Sequence, residues 1–103
     1  MVFDYKIFWT KEAVRNLEEI LDYLSNTWTQ REVNEFKRKL SKQIRLIRQN
    51  PNLFPISRYN SRLRKSVLGK QTIIFYEVLE QVIYLVYLFN TRQNIERIKQ
   101  IKT

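Results

Sequence analysis

The side chains best suited to chemistry in this 103-residue chain are basic, and they are concentrated in its central third. Between Phe36 and Lys70 there is no acidic residue, but there are eleven basic ones, namely Lys37, Arg38, Lys39, Lys42, Arg45, Arg48, Arg58, Arg62, Arg64, Lys65 and Lys70. Residues 1–35 carry seven acids and four bases, and residues 71–103 three acids and four bases. The central third therefore supplies the net charge of +9. Such a concentration indicates a polyanionic or acidic partner.

Some kinds of chemistry are excluded by composition. The chain has no cysteine and no histidine, so zinc, haem and iron–sulfur sites lack their usual ligands. A nucleophile–histidine triad is excluded for the same reason. We expect no metal and no cofactor, and any catalysis would have to use Lys, Arg, Tyr, Ser or carboxylate side chains.

The basic residues form two sets, and each has two possible roles. Those of residues 37–48, including Arg38, Lys42 and Arg45, lie on the polar side of a predicted helix. They form either a solvated face or a landing surface for an acidic protein or for phosphates. The second set is Arg58, Arg62, Arg64, Lys65 and Lys70, in which Arg62 and Arg64 are predicted to share one face of a strand. Arg92 follows the last predicted strand, where its position is compatible with two roles: a structural one, as a partner of backbone groups at the strand end, or a functional one.

The elements that position these residues begin with a strand and two helices. Val2 to Trp9 alternates apolar and polar residues, which predicts a half-buried strand. Thr10 is a candidate cap for a helix whose apolar residues recur as far as Leu24, and residues 25–27 are predicted to break it. Thr29 and Glu32 form a capping-box pattern that opens a second helix, and Pro51 sets its latest end. A short polar turn between the helices predicts an antiparallel hairpin.

The second half of the chain predicts strands. Residues 50–61 hold both prolines and are expected to form a loop, followed by strands at 63–68, 72–79 and 82–89 joined by turns at 69–70 and 80–81. The last strand is apolar on both faces, which suits a central strand covered on both sides. Tyr76, Tyr84 and Tyr87 are accordingly expected to pack in the core. Residues 94–101 are compatible with a short helix.

The predicted fold is α+β: an N-terminal strand, an antiparallel helical hairpin, then a three-strand meander in one mostly antiparallel sheet. The length and the 44% hydrophobic content predict a single domain over residues 1–103. The N-terminus has no signal-peptide pattern, and the longest apolar run, residues 82–89, is far too short to cross a membrane. We expect a cytoplasmic protein.

Several stretches resemble a known family when taken in this order. FWTKEAVRNLEEILDYL is similar to the opening strand and first helix of the RelE/ParE superfamily, the toxins of bacterial type II toxin–antitoxin systems, which include plasmid stabilisation proteins. NPNLFP, RLRKSVLGKQTIIFYEV and VIYLVYLFNTRQN resemble the family's loop after the second helix, its basic and aromatic strands, and its last strand with the Arg-bearing segment. The resemblance covers nearly the whole chain.

This resemblance implies a growth-inhibiting toxin that is neutralised by a cognate acidic antitoxin, which wraps it and alone contacts operator DNA. The RelE-like branch cleaves messenger RNA in the ribosome, whereas the ParE-like branch poisons DNA gyrase.

The two branches differ in the groups they require. A metal-free ribonuclease needs a general base, a proton donor and cations around the phosphate. Arg64, Lys65 and Arg92 match catalytic positions of the RelE-like branch, but its aromatic-strand arginine falls at about Ile73, and no Tyr follows Arg92. These absences favour the ParE-like branch, which acts by binding, and leave a reduced endoribonuclease as the alternative. A basic nucleic-acid-binding module is a further alternative, although no recognised nucleic-acid-binding motif supports it.

Overall fold

The computed structural model describes residues 5–69 and 72–90 of the chain. The element order is β1 (Lys6–Trp9), α1 (Lys11–Thr27), α2 (Gln30–Gln49), β2 (Arg64–Leu68), β3 (Thr72–Leu79) and β4 (Val82–Asn90). Lys70, Arg92 and the helix predicted at residues 94–101 lie outside the described residues. Among the described helices, none is long and apolar enough to cross a membrane.

The strands form one mixed sheet in the order β1-β4-β3-β2. The pairs β2–β3 and β3–β4 are antiparallel, whereas β1 lies parallel to β4. The predicted α+β fold and its mostly antiparallel sheet are therefore confirmed, as is the central place of β4. The strand order, which the sequence did not predict, puts β1 and β2 at the two edges.

Both helices begin at the predicted caps, but the first one ends later than expected. The Thr10 hydroxyl oxygen accepts a hydrogen bond from the Ala13 N–H at 3.1 Å, and Thr29 with Glu32 forms a complete capping box. The predicted break at residues 25–27 is wrong, because α1 continues to Thr27. The Trp28 N–H donates to the Leu24 carbonyl at 2.7 Å and closes the last turn, so the break consists of residues 28 and 29 alone.

One hydrophobic core fills the space between the two helices and one face of the sheet. The buried side chains recur at helical spacing in α1 and α2 and at alternate positions in β3 and β4. They include Ala13, Ile20 and Leu24 of α1, Val33, Leu40 and Ile47 of α2, and Ile74, Tyr76, Ile83, Leu85 and Leu88 of the sheet. Tyr76 is completely buried, as predicted.

A β-bulge shifts the register in the middle of the sheet. Phe75 pairs with Tyr87 but Tyr76 pairs with Leu85, which leaves Val86 as an extra residue in β4. The buried Asn16 of α1 accepts a hydrogen bond from the Leu88 N–H at 3.1 Å. The Thr10 hydroxyl donates to the Leu85 carbonyl at 2.8 Å. These two side chains supply partners to backbone groups around the bulge and fix α1 on β4.

The remaining corrections concern β2 and β4. β2 begins at Arg64, and Arg62 lies in the preceding turn, so Arg62 and Arg64 do not share a strand face. β4 packs against α1 on one side, but in the part of the chain that the structure describes no helix covers its other side. Tyr84 and Tyr87 are consequently half-buried on that open side, and the prediction that both belong to the core is wrong.

Candidate functional site: an aromatic cavity on the open face of the sheet

A cavity of about 340 Å³ lies on the sheet face opposite the helices. Its floor comes from neighbouring strands β3 and β4, and its wall comes from the loop between α2 and β2. The lining residues are Ser57, Arg58, Tyr59, Asn60, Leu63, Lys65, Ile73, Phe75, Tyr87 and Phe89. We call this site the open-face cavity.

Aromatic rings from β3 and β4 form the floor. Phe75 and Phe89 meet edge to face, with ring centroids 5.5 Å apart and an interplanar angle of 87°, and Tyr87 lies 6.0 Å from Phe89. The register pairs Ile73 with Phe89 and Phe75 with Tyr87, so the four side chains form two adjacent cross-strand pairs. The β-bulge contributes to this arrangement, because the extra residue Val86 lets Leu85 face the core while Tyr87 faces the cavity.

The wall is shaped by hydrogen bonds within the loop. The Ser57 hydroxyl accepts a hydrogen bond from the Tyr59 N–H at 3.1 Å, and the side-chain oxygen of Asn60 accepts one from the Arg62 N–H at 2.9 Å. Such side-chain-to-backbone bonds stabilise turns. Leu63 is buried beneath the loop, whereas Tyr59 is 61% exposed. The loop therefore presents Arg58 and Tyr59 at the cavity rim.

The rim is positively charged. Arg58 is exposed and Lys65 is half-buried, and none of the described residues that line the cavity is acidic. In the described residues neither cation forms an ion pair. The cavity can accept an apolar or aromatic group, and its two cations favour a negatively charged neighbour of that group.

Arg64 lies close by but is engaged in holding the loop. Its guanidinium donates to the Phe54 carbonyl at 2.7 Å and to the Asn52 carbonyl at 3.3 Å. The Tyr76 hydroxyl donates to the Pro51 carbonyl at 2.6 Å from within the core. Burial raises the pKa of Tyr76 to about 12, and the charge of Arg64 opposes that rise. Both side chains thus anchor residues 51–54.

The other predicted site residues are dispersed. Arg62 is 78% exposed, with its Nε 3.7 Å from the Glu77 carboxylate. Arg38 forms an ion pair with Glu35, and Lys42 and Arg45 are exposed on α2, in the layer on the other side of the sheet. The structure thus brings Arg58 and Lys65 together in the cavity and leaves the α2 cations on a separate surface. Lys70 and Arg92 lie outside the described residues.

The aromatic floor was missed by the sequence reasoning. The signal was present in the sequence. Large apolar residues occupy odd-numbered as well as even-numbered positions in both β3 and β4, whereas a sheet covered on one face needs them at alternate positions only. Within residues 5–69 and 72–90, no three carboxylate, His or Cys side chains group where they could hold a metal ion.

Residues 7–95 match the family described as the ParE toxin of the type II toxin–antitoxin system parDE. No sequence among the curated proteins matches the chain.

Similar solved structures have the same fold. The chromosomal ParDE toxin–antitoxin system of P. aeruginosa gives a TM-score of 0.74 at 14% identity, covering 85% of this chain and 97% of the other. The E. coli DinJ-YafQ toxin–antitoxin complex gives 0.61 at 9% identity, with 87% and 96% covered. A conserved hypothetical protein from Helicobacter pylori gives 0.55 at 17% identity, with 89% and 97% covered. Since the family match spans most of the sequence, the chain belongs to the ParE toxin family of type II toxin–antitoxin systems.

Proposed function

We propose that this ParE-family toxin inhibits growth by binding a protein target such as DNA gyrase in the cytoplasm, and that a cognate acidic antitoxin neutralises it. The observation that carries the proposal is the composition of the open-face cavity, which combines an aromatic floor with a cationic rim. Ile73 occupies the position where the resemblance places the arginine of the RelE-like nucleases. Aromatic residues and Arg are enriched at protein interfaces and in their hot spots.

The charge distribution supports an acidic partner. Arg58 and Lys65 line the cavity, and Arg62, Arg64, Lys70 and Arg92 belong to the same half of the sequence. Arg38, Lys42 and Arg45 form a second basic surface on α2. An acidic antitoxin that wraps the protein would contact both surfaces, and operator DNA would be contacted only through the antitoxin. Salt should weaken this association by screening it.

A ribosome-dependent endoribonuclease is the second candidate. It is favoured by one observation, that Lys65 and the hydroxyl-bearing Tyr59 and Tyr87 line the same cavity. A lysine and a tyrosine are possible proton-transfer groups. Arg64 is less suited to contact a phosphate than the sequence predicted, because its guanidinium already donates to two loop carbonyls.

The decisive experiment compares two assays on the purified protein with and without its antitoxin. We expect loss of gyrase supercoiling and no cleavage of ribosome-bound message. The double variant Arg58→Glu/Lys65→Glu should weaken inhibition at least about tenfold, which corresponds to about 1.4 kcal/mol of binding free energy. Lys11→Glu/Arg15→Glu, with the same charge change on α1, is the matched control and should inhibit as the wild type does. Cleavage of message without an effect on gyrase would instead establish the nuclease.

A further inference from the structure

A row of four basic side chains lies along the outermost line of α2. Its members share one face of the helix and are Arg31, Arg38, Lys42 and Arg45. With about 3.6 residues per turn, they fall within an arc of about 60°, opposite the buried line of Val33, Leu40 and Ile47. At a rise of about 1.5 Å per residue, the row extends over about 21 Å. We call it the α2 cation row.

The α2 cation row is exposed and its charge is largely uncompensated. All four side chains are exposed, that of Arg38 by 76%. Apart from Arg38, which pairs with Glu35, no member of the row forms an ion pair with a residue that the structure describes. The two acids of α2, Glu32 and Glu35, lie in its first two turns, so every charged residue of α2 after Glu35 is basic.

The row is not explained by the stability of the fold. The aliphatic stems of Lys and Arg often cover apolar surface, but this row lies on the side of α2 farthest from the core. Arg48 differs, because its Nε donates to the Tyr5 carbonyl at 2.9 Å and ties the end of α2 to the start of β1. Lys42 lies four residues after Arg38, a spacing at which like charges destabilise a helix. A row that lowers helix stability is best explained by a ligand.

The surface around the row is polar, unlike the open face of the sheet. The one large apolar side chain that α2 exposes is Leu46, at 41%, and its one aromatic residue, Phe36, packs against the core. Protein interfaces have an apolar and aromatic centre, whereas protein–DNA interfaces are more polar and more positively charged. Single-stranded nucleic acids are bound on aromatic platforms, which α2 does not expose. The row therefore fits the phosphates of a duplex.

We propose that the α2 cation row binds the phosphate backbone of duplex DNA without reading its sequence. The choice of DNA over double-stranded RNA rests on the proposed function, because gyrase acts on duplex DNA. A duplex carries about one negative charge per 1.7 Å, so about 21 Å of it presents about twelve phosphates to the row. Contacts to phosphates alone carry no sequence information.

The row and the open-face cavity lie on opposite sides of the sheet, since α2 packs on the helix side. A target protein on the open face and its DNA on α2 could therefore be bound at the same time. Glu18 and Asp22, which are exposed on α1, would repel phosphates and confine the contact to α2. An antitoxin that covers α2 would exclude the duplex, which agrees with contact to operator DNA through the antitoxin alone.

The test measures binding of a fluorescein-labelled DNA duplex of about 20 base pairs and arbitrary sequence, by fluorescence anisotropy at several salt concentrations. The row variant is Arg38→Gln/Lys42→Gln/Arg45→Gln. The matched control removes three exposed charges outside α2 and is Lys6→Gln/Lys11→Gln/Arg15→Gln. Glutamine is a good helix former, and circular dichroism checks that both variants fold.

We expect the row variant to bind the duplex at least about tenfold more weakly than the control variant at about 0.1 M salt. Each lost phosphate contact should reduce the slope of log K against log salt by about 0.9, and three contacts by about 2.7. The control variant should keep the slope of the wild type, because its substituted residues contact no phosphate.

Equal losses in the two variants would overturn the row as the site, since net charge alone would then explain the binding. No binding by the wild type, or tighter binding to double-stranded RNA or single-stranded DNA of the same sequence, would also overturn the proposal. A row variant that binds DNA as the control does but loses affinity for the antitoxin would assign the row to an acidic protein. The assay contains no gyrase, so a wild type that binds DNA but leaves supercoiling unaffected would overturn the proposed function alone.

Discussion

Both faces of the sheet carry large apolar side chains, but the two faces differ in what covers them. On the helix side Ile74, Tyr76, Leu85 and Leu88 are at most 2% exposed. On the open side Ile73, Tyr87 and Phe89 are only half-buried and line the cavity. The polar groups differ as well. On the helix side Ser66 receives a hydrogen bond from Gln43 at 2.6 Å, whereas at the cavity rim Arg58 and Lys65 form no ion pair with any residue that the structure describes.

This difference assigns the two faces of the sheet to different tasks, the helix side to folding and the open side to binding. Burial of the helix side supplies the hydrophobic free energy that stabilises the domain. The apolar residues of the open side contribute less to it, because they keep part of their contact with water. A large exposed apolar patch rimmed by polar residues typically marks an interaction surface. The open side is therefore best explained by a partner.

The sharpest test of this comparison uses two adjacent isoleucines of β3. Ile74→Ala opens a cavity in the core and should lower the free energy of unfolding by about 2–5 kcal/mol. Ile73→Ala removes a half-buried side chain on the open face and should cost about 1 kcal/mol or less. Urea denaturation followed by circular dichroism measures both. Ile73→Ala should in addition weaken antitoxin binding, and equal stability losses at the two positions would show that the open face is part of the folding core.

A smaller effect is expected from the arginines that precede and begin β2. Arg64→Ala removes the charged donor to the Phe54 and Asn52 carbonyls and should cost about 1–2 kcal/mol, since the site is partly exposed. Arg62→Ala, at a side chain that is 78% exposed, should change stability by about 0.5 kcal/mol or less. Thermal unfolding would measure the difference. If Arg64→Ala leaves stability unchanged but abolishes inhibition of the target, Arg64 acts in binding rather than in anchoring the loop.

The smallest effect concerns the hydroxyl that crosses the core. Tyr76→Phe removes the hydrogen bond to the Pro51 carbonyl and should cost about 1 kcal/mol at neutral pH. The pKa of Tyr76 is raised from 10.0 to about 12 in the folded state. The contribution of the Tyr76 hydroxyl to the free energy of unfolding is therefore complete below pH 10 and is lost as pH rises toward 12. The wild type should therefore lose stability over that range more steeply than Tyr76→Phe. Parallel curves in alkaline urea titrations would contradict this assignment.

Much of the fold was predictable because local signals agreed with the tertiary structure. The alternating pattern ending at Trp9, the caps Thr10 and Thr29, and Pro51 after α2 each gave an element or a boundary that the structure confirms. The failure at residues 25–27 shows the limit of such signals. Ser, Asn and Thr are weak helix formers, but the helix continues through them to the Trp28 cap.

The site was less predictable because it depends on the bulge. Strict alternation along β4 puts Tyr87 on the same face as Ile83 and Leu85, which are in the core. The extra residue Val86 reverses this assignment. The side chains that bind the backbone beside it come from far away in sequence: Thr10 donates to the Leu85 carbonyl across 75 residues, and Asn16 accepts from the Leu88 N–H across 72. A count of charges along the sequence identified Arg58 and Lys65 as candidates. It could not show that the Arg64 guanidinium donates its hydrogen bonds to carbonyls of the loop.

The edge strand β2 and the aromatic open face also affect how the free protein behaves in solution. Both features invite association between copies, and a net charge of +9 opposes it by mutual repulsion. High salt screens this repulsion. The isolated toxin should therefore aggregate more readily as ionic strength rises. An antitoxin that covers these surfaces would keep the toxin soluble, as a chaperone does.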